Sequence, residues 1–156
     1  MQLTSHTDYA LRLLIYLAVH DNEESPTVQD AASRYGISAH HLAKVAQKLV
    51  QLGYISSQRG RGGGLTLIRD PEHVNVGELV RAMEHLDLVE CFRNDSDCAI
   101  KSACRLKSAI AEAGEAFIHA LERYTLADLV RPRAQIIRLL DMESVTKDRI
   151  DNKKSA

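Results

Sequence analysis

From Ala31 to Arg69 the chain has no aspartate or glutamate, while Arg34, Lys44, Lys48, Arg59, Arg61 and Arg69 all fall in that stretch. The 156 residues together carry a net charge of −1, so the remainder of the chain is acidic. Unrelieved positive charge over such a length describes a face turned to a polyanion better than an ordinary solvated surface. The stretch is also punctuated in a way that few folds accommodate. Thr27 and Asp30 form a helix-start box, Ala31, Ala32 and Tyr35 follow, and Gly36 stops the helix. Ser38 caps a second helix, Ala39 to Leu52, whose Leu42, Val45, Ala46, Leu49 and Leu52 recur at helical spacing. Gly53 ends it. Tyr54–Ser57 and Leu65–Ile68 read as two short strands around a glycine-rich tip. Helix, tight turn, helix and hairpin in that order predict a winged helix-turn-helix.

The glycine cluster is not a nucleotide-binding loop, because Gly60 to Gly64 does not fit G-x-G-x-x-G and a strand follows where a helix is needed. Tyr9 to His20 reads as a helix apolar nearly all round, with Ser5, Asp8 and Arg12 on one narrow polar stripe. With two Phe, five Tyr and no Trp, Leu, Ile, Val and Ala must fill the core. Beyond Pro71, Val74 to Leu86 forms an amphipathic helix, and a polar segment with the cysteines follows. From about Arg105 to Tyr124, Leu106, Ile110, Ala113, Phe117, Leu121 and Tyr124 make a seam suited to another helix. Thr125 caps a last short helix that ends near Pro132. The expected fold is mainly α, a winged helix-turn-helix with a long C-terminal dimerisation helix. Its parts are a DNA-binding domain over 1–70, a cysteine loop and dimerisation helices over 71–132, and a partly disordered tail over 133–156.

A recognition helix presents its N-terminal residues to the major groove, which places Ser38, His40, His41 and Lys44 there and Lys48 one turn further on. His40 and His41 each read equally well as base contacts or as plain surface, and Lys44 suits a base or a phosphate. Arg59 and Arg61, set among glycines on a thin hairpin, suit a narrow minor groove; the alternative is a solvated tip.

Cys91, Cys98 and Cys104 lie close together as Cys-x6-Cys-x5-Cys in a polar segment, unlike structural cysteines dispersed in a core. The spacing differs from the Cys-x2-Cys knuckle of many zinc sites. Thiolates hold iron–sulfur clusters, sometimes with one ligand of another type. Zinc and a thiol–disulfide switch stay open on spacing alone.

Several separate motifs resemble the iron–sulfur winged-helix repressors. They are Met1-Gln2-Leu3-Thr4-Ser5 with Thr7-Asp8-Tyr9-Ala10-Leu11-Arg12, Tyr35-Gly36-Ile37-Ser38, Arg59-Gly60-x-Gly62-Gly63, Cys104-Arg105-Leu106-Lys107 and Tyr124-Thr125-Leu126-Ala127-Asp128-Leu129-Val130. The resemblance spans roughly the first 130 residues. It implies a homodimer on a palindromic double-stranded DNA operator, with long helices crossing between subunits. One branch of the family places a histidine ligand three residues after its last cysteine, where this chain has Lys107. The chain is more similar to the nitric-oxide-sensing branch. There the resemblance implies a [4Fe–4S] cluster on Cys91, Cys98 and Cys104, with [2Fe–2S] as the alternative, and a carboxylate ligand from the partner's first helix at the position of Asp8. An Asp8–Arg12 ion pair is the bland reading of that residue, and Glu90, Asp95 or Asp97 could supply the oxygen instead.

The function expected from these readings is a cytoplasmic repressor that senses nitric oxide and is not an enzyme. Sensing of iron, redox or cluster status through the same site is the runner-up. An iron–sulfur electron carrier is the reading from another class, and it leaves the basic block unexplained. No apolar run is long enough to span a membrane, no charged leader precedes the first helix, and His20, His73 and His119 read as packing or surface residues.

Overall fold

The computed structural model describes residues 2–20, 26–58, 60, 63–84, 88–89, 92, 98–100 and 103–141. Helix α1 (Ser5–Val19) is the central element, with Ala10, Leu13, Leu14, Tyr16, Leu17, Ala18 and Val19 all buried. It begins four residues before the apolar run at Tyr9, because Thr4 caps it by accepting a hydrogen bond from the Thr7 N–H. His20 closes it. The His20 ring is buried, its Nδ1 lies 2.8 Å from the Tyr16 carbonyl oxygen, and it packs on the Tyr16 ring, as a packing residue should.

Helix α2 (Val28–Tyr35) carries the expected box: the Thr27 hydroxyl accepts from the Asp30 N–H while Asp30 accepts from the Thr27 N–H. Gly36 ends α2 at φ 65°, in the left-handed region that a residue without Cβ enters at little cost. Helix α3 (Ala39–Gln51) follows, burying Leu42, Val45, Ala46 and Leu49 against α1 and α2. Ser38 occupies the N-cap position but its hydroxyl makes no cap hydrogen bond. Strands β1 (Ile55–Ser57) and β2 (Leu65–Leu67) pair antiparallel in the register Ile55↔Leu67 and Ser57↔Leu65. Ile55 and Leu65 turn inward, and the Leu65 N–H donates to the Pro26 carbonyl, fastening the wing to the start of α2.

A 3-10 turn, Pro71–His73, leads to α4 (Val76–Met83), shorter at both ends than the stretch expected from periodicity. Asn75 caps it, and the Asn75 side-chain amide donates to the Glu122 carbonyl. Val74 and Asn75 pair instead with the connection after α5: Val76 N–H donates to Tyr124 O and Leu126 N–H to Val74 O. Helix α5 (Arg105–Leu121) packs on α4 through Val76, Val80 and Ile118, a second small core. Helix α6 (Leu126–Leu129) starts from a Thr125–Asp128 capping box. Residues 133–141 are also helical, although the sequence suggested no element there. The rest of the tail expected over 133–156 lies outside the described residues. No helix among the described residues is long and apolar enough to cross a membrane.

Candidate nucleic-acid interface and cluster site

Helix α3 turns Leu42, Val45, Ala46 and Leu49 inward, so the helical period brings His40, Lys44, Gln47 and Gln51 to the opposite side. All four are exposed, and Ser38 and His41 are exposed beside them. Lys48 is half-buried on the flank. Of the expected DNA contacts, Ser38, His40, His41 and Lys44 therefore share one accessible end of α3. Gln47 was not among them. Its signal was available, since it falls one helical turn after Lys44 and on the side opposite Leu42, Val45 and Leu49.

The basic block divides into two groups. Arg69 stacks over the Tyr54 ring at 4.5 Å and donates to the carbonyls of Gly53 and Leu52, closing the C-terminus of α3. Arg34 pairs with Asp141 at 3.0 Å. These two arginines serve the fold, while Lys44 and Lys48 stand on α3. Arg59 and Arg61 lie outside the described residues. The turn that carries them is tight at Gly60 and Gly63: Gly60 has φ 106°, and Gly63 N–H donates to the Gly60 carbonyl.

Cys98 is exposed and Cys104 half-buried, and both are free thiols. Cys104 is the N-cap residue of α5 but makes no cap hydrogen bond, so its sulfur is not committed to the helix. Lys107, one turn into α5, is exposed. Cys91 lies outside the described residues, as do Glu90, Asp95 and Asp97. Two uncommitted soft sulfur donors before one helix fit a thiolate-held iron–sulfur group. Among the described residues no three His, Cys, Asp or Glu side chains gather as a metal site would require. Asp8 forms the i, i+4 pair with Arg12, at 2.9 and 3.1 Å.

The face of α5 is the other exposed feature. Gly114 and Ile118 are buried against the rest of the chain, whereas Leu106 is 60% and Tyr124 48% exposed. Ile110, Phe117 and Leu121 are half-buried. Phe117 and Leu121 pack against the small core of Val76, Val80 and Ile118, so the expected seam is covered only in part within one chain.

Residues 3–132 match the family model Rrf2, described as iron-dependent transcriptional regulator. The chain is 46% identical over 142 residues to the HTH-type transcriptional regulator NsrR of Geobacillus kaustophilus, covering 90% of this chain and 97% of that protein. It is also 46% identical over 145 residues to NsrR of Bacillus subtilis, covering 92% and 99%. Among solved structures, T. potens IscR superposes with a TM-score of 0.66 at 24% identity, over 85% of this chain and 88% of that one. CymR, the global cysteine regulator of B. subtilis, gives a TM-score of 0.60 at 24% identity, over 84% and 97%. These relatives are regulators of transcription and not enzymes. The winged helix with its exposed α3 and the match over residues 3–132 lead to one assignment: the chain belongs to the Rrf2 family of transcriptional regulators.

Proposed function

We propose that the chain is a homodimeric DNA-binding repressor of the cytoplasm that senses nitric oxide through an iron–sulfur cluster and releases nitric-oxide detoxification genes. One observation carries the signal: the segment Cys91, Cys98, Cys104 follows the winged helix in a chain 46% identical to NsrR regulators over nearly its whole length. Fold alone would not choose it, since the same fold includes the global cysteine regulator. The three cysteines would hold the cluster, taken as [4Fe–4S], with Asp8 of the partner subunit as fourth ligand. When bound, the cluster supplies iron that reacts with nitric oxide, more readily where a hard carboxylate replaces a thiolate.

The chain's own residues do the rest. His40, Gln47 and Ser38 read base edges, Lys44 and Lys48 hold the backbone, and Arg59 and Arg61 enter the minor groove. The exposed part of the α5 seam pairs two subunits, which sets the spacing of two half-sites of a palindromic operator. Release of loop 91–104 on loss of the cluster would alter that spacing. The family description as iron-dependent favours one second reading, in which iron supply itself is the signal.

Anaerobic purification with iron and sulfide analysis tests the proposal, followed by nitric oxide titration with visible absorbance and DNA binding recorded together. The expected result is bound iron and sulfide, and DNA affinity lost as absorbance changes. A protein without sulfide, or one whose DNA binding ignores nitric oxide, overturns it. Loss of binding on iron chelation alone, with no response to nitric oxide, selects the second reading.

A further inference from the structure

We propose that a groove between α1 and α3 seats a backbone phosphate of the bound duplex, so that the first turns of α1 form a second wall of the DNA interface. This rests on the DNA-binding reading above and adds residues outside the helix-turn-helix to it. The groove has a volume of about 340 Å³ and is lined by Ser5, His6 and Tyr9 of α1 and by His41, Lys44 and Val45 of α3. Buried Val45 makes the floor. The other five side chains all carry N–H or O–H donors, and among the described residues no carboxylate lines the groove. Among the described residues none of these five has a hydrogen bond or ion pair; His41 has only a ring contact with His40 at 6.1 Å. By contrast Asp8, the nearest acid in sequence, is held by Arg12.

Dimensions place the DNA backbone at this groove. A helix with its side chains is about 10–12 Å across, and the major groove is about 12 Å wide. When the ridge of His40, Gln47 and Gln51 enters, the flanks of α3 lie against the two sugar-phosphate walls. On the wing side the flank borders a hollow lined by Val28, Ala43, Ala46, Val50 and Leu65 with Gln47 and Ser57, with no cation among the described residues. On the α1 side stand Lys44, two imidazoles and two hydroxyls. Among the described residues, the lining that suits a phosphodiester anion is the second. Such contacts fix the register of the protein on DNA without reading sequence. Lys44 and His41 are thereby assigned to phosphate, and base reading is left to the ridge.

The test uses the full chain, purified anaerobically, with 30-base-pair duplexes of two unrelated sequences, and measures affinity against salt. His6→Glu puts a carboxylate into the groove, and His6→Arg puts a permanent cation there. Melting curves confirm that both variants fold. The expected result is binding weakened about tenfold or more by His6→Glu, equally on both duplexes. His6→Arg is expected to bind at least as tightly as the native chain, with a salt slope steeper by about one unit. If both folded variants bind with native affinity and slope, the groove takes no phosphate and the DNA-binding reading survives. If the native chain binds neither duplex at any salt, the DNA-binding reading fails and takes this proposal with it.

Discussion

Thr4 and Glu84, eighty residues apart, are joined by two hydrogen bonds: the Thr4 N–H and the Thr4 hydroxyl both donate to Glu84 Oε1, at 2.7 and 2.9 Å. Thr4 is the N-cap of α1 and Glu84 the residue at which α4 ends. The clasp therefore fastens the start of the central helix, next to Ser5 and His6, to the point from which the sequence runs on to the cysteines. Bonds to an ionised acceptor are the stronger kind, but these are exposed, so the lower end of their range applies. Glu84→Ala is expected to cost about 1 kcal/mol, or roughly 2–4 °C in melting midpoint for a chain of this size. An unchanged midpoint would show the clasp to be ornamental.

Gly77 tests the packing of α4 on α5. A Cβ there would lie 2.6 Å from the Glu122 nitrogen and 2.9 Å from its Cα. These are backbone atoms, so the helices must part. Gly77→Ala would gain about 1 kcal/mol in helix propensity against an overpacking cost of roughly 1–3 kcal/mol. A net loss is expected, read as a lower denaturant midpoint with an unchanged slope.

What the sequence made legible was local. The box at Thr27, the left-handed Gly36, the period of α3 and the hairpin each depend on residues within one or two turns of each other. What it hid was long-range. Thr4 gives α1 its start with support from Glu84, and Val74 and Asn75 leave α4 to pair with residues 124–126. Arg34 and Arg69 count towards the basic block in sequence, yet their partners, Asp141 and Tyr54, are supplied only by folding. The cysteines stood out by clustering. The proposed fourth ligand, Asp8 of the partner subunit, lies on a second chain, which no periodicity within this one encodes.

Gln47 separates base reading from backbone holding. On the exposed ridge of α3 it can make the paired hydrogen bonds that a glutamine makes to adenine N6 and N7. In sites selected from a random pool, Gln47→Ala should lose preference at one base pair per half-site, at a cost of about 1–3 kcal/mol there. Lys48→Ala should weaken all sequences alike. Identical selected sites for the native chain and Gln47→Ala would remove Gln47 from the reading face.

The acid limb of stability follows from the capping boxes. Hydrogen bonds from the Thr27 hydroxyl, then from its N–H, hold the Asp30 carboxyl below its ordinary value of 3.8. Asp128 is held down in the same way by the Thr125 N–H and then its hydroxyl. A carboxyl lowered in the folded state stabilises fully above the unfolded value, and that contribution disappears as pH falls through the folded one. Between about pH 5 and pH 3 the native chain should therefore lose stability faster than Asp30→Asn, which has no proton to take up at that position. Parallel melting curves over that range would contradict this. At neutral pH, Thr27→Ala should cost about 1 kcal/mol, the usual worth of such a cap.

The helical stretch 133–141 belongs mechanically to the winged helix, although about sixty residues of sequence separate them. Arg133 donates to the Val19 carbonyl at 2.9 Å, which satisfies an acceptor at the C-terminus of α1. Asp141 and the Leu140 carbonyl meet Arg34 of α2. Leu140 is 7% exposed in the main core, with Ile136 and Ile137 packed beside it. A buried leucine cut to alanine costs about 2–5 kcal/mol, and the lower half applies near the edge of a core. Leu140→Ala should thus lower the unfolding free energy by about 2–3 kcal/mol. The exposed neighbour Leu139→Ala should lower it by less than about 0.5 kcal/mol. Equal losses from the two substitutions would mean that 133–141 does not dock where Arg34, Val19 and the core hold it.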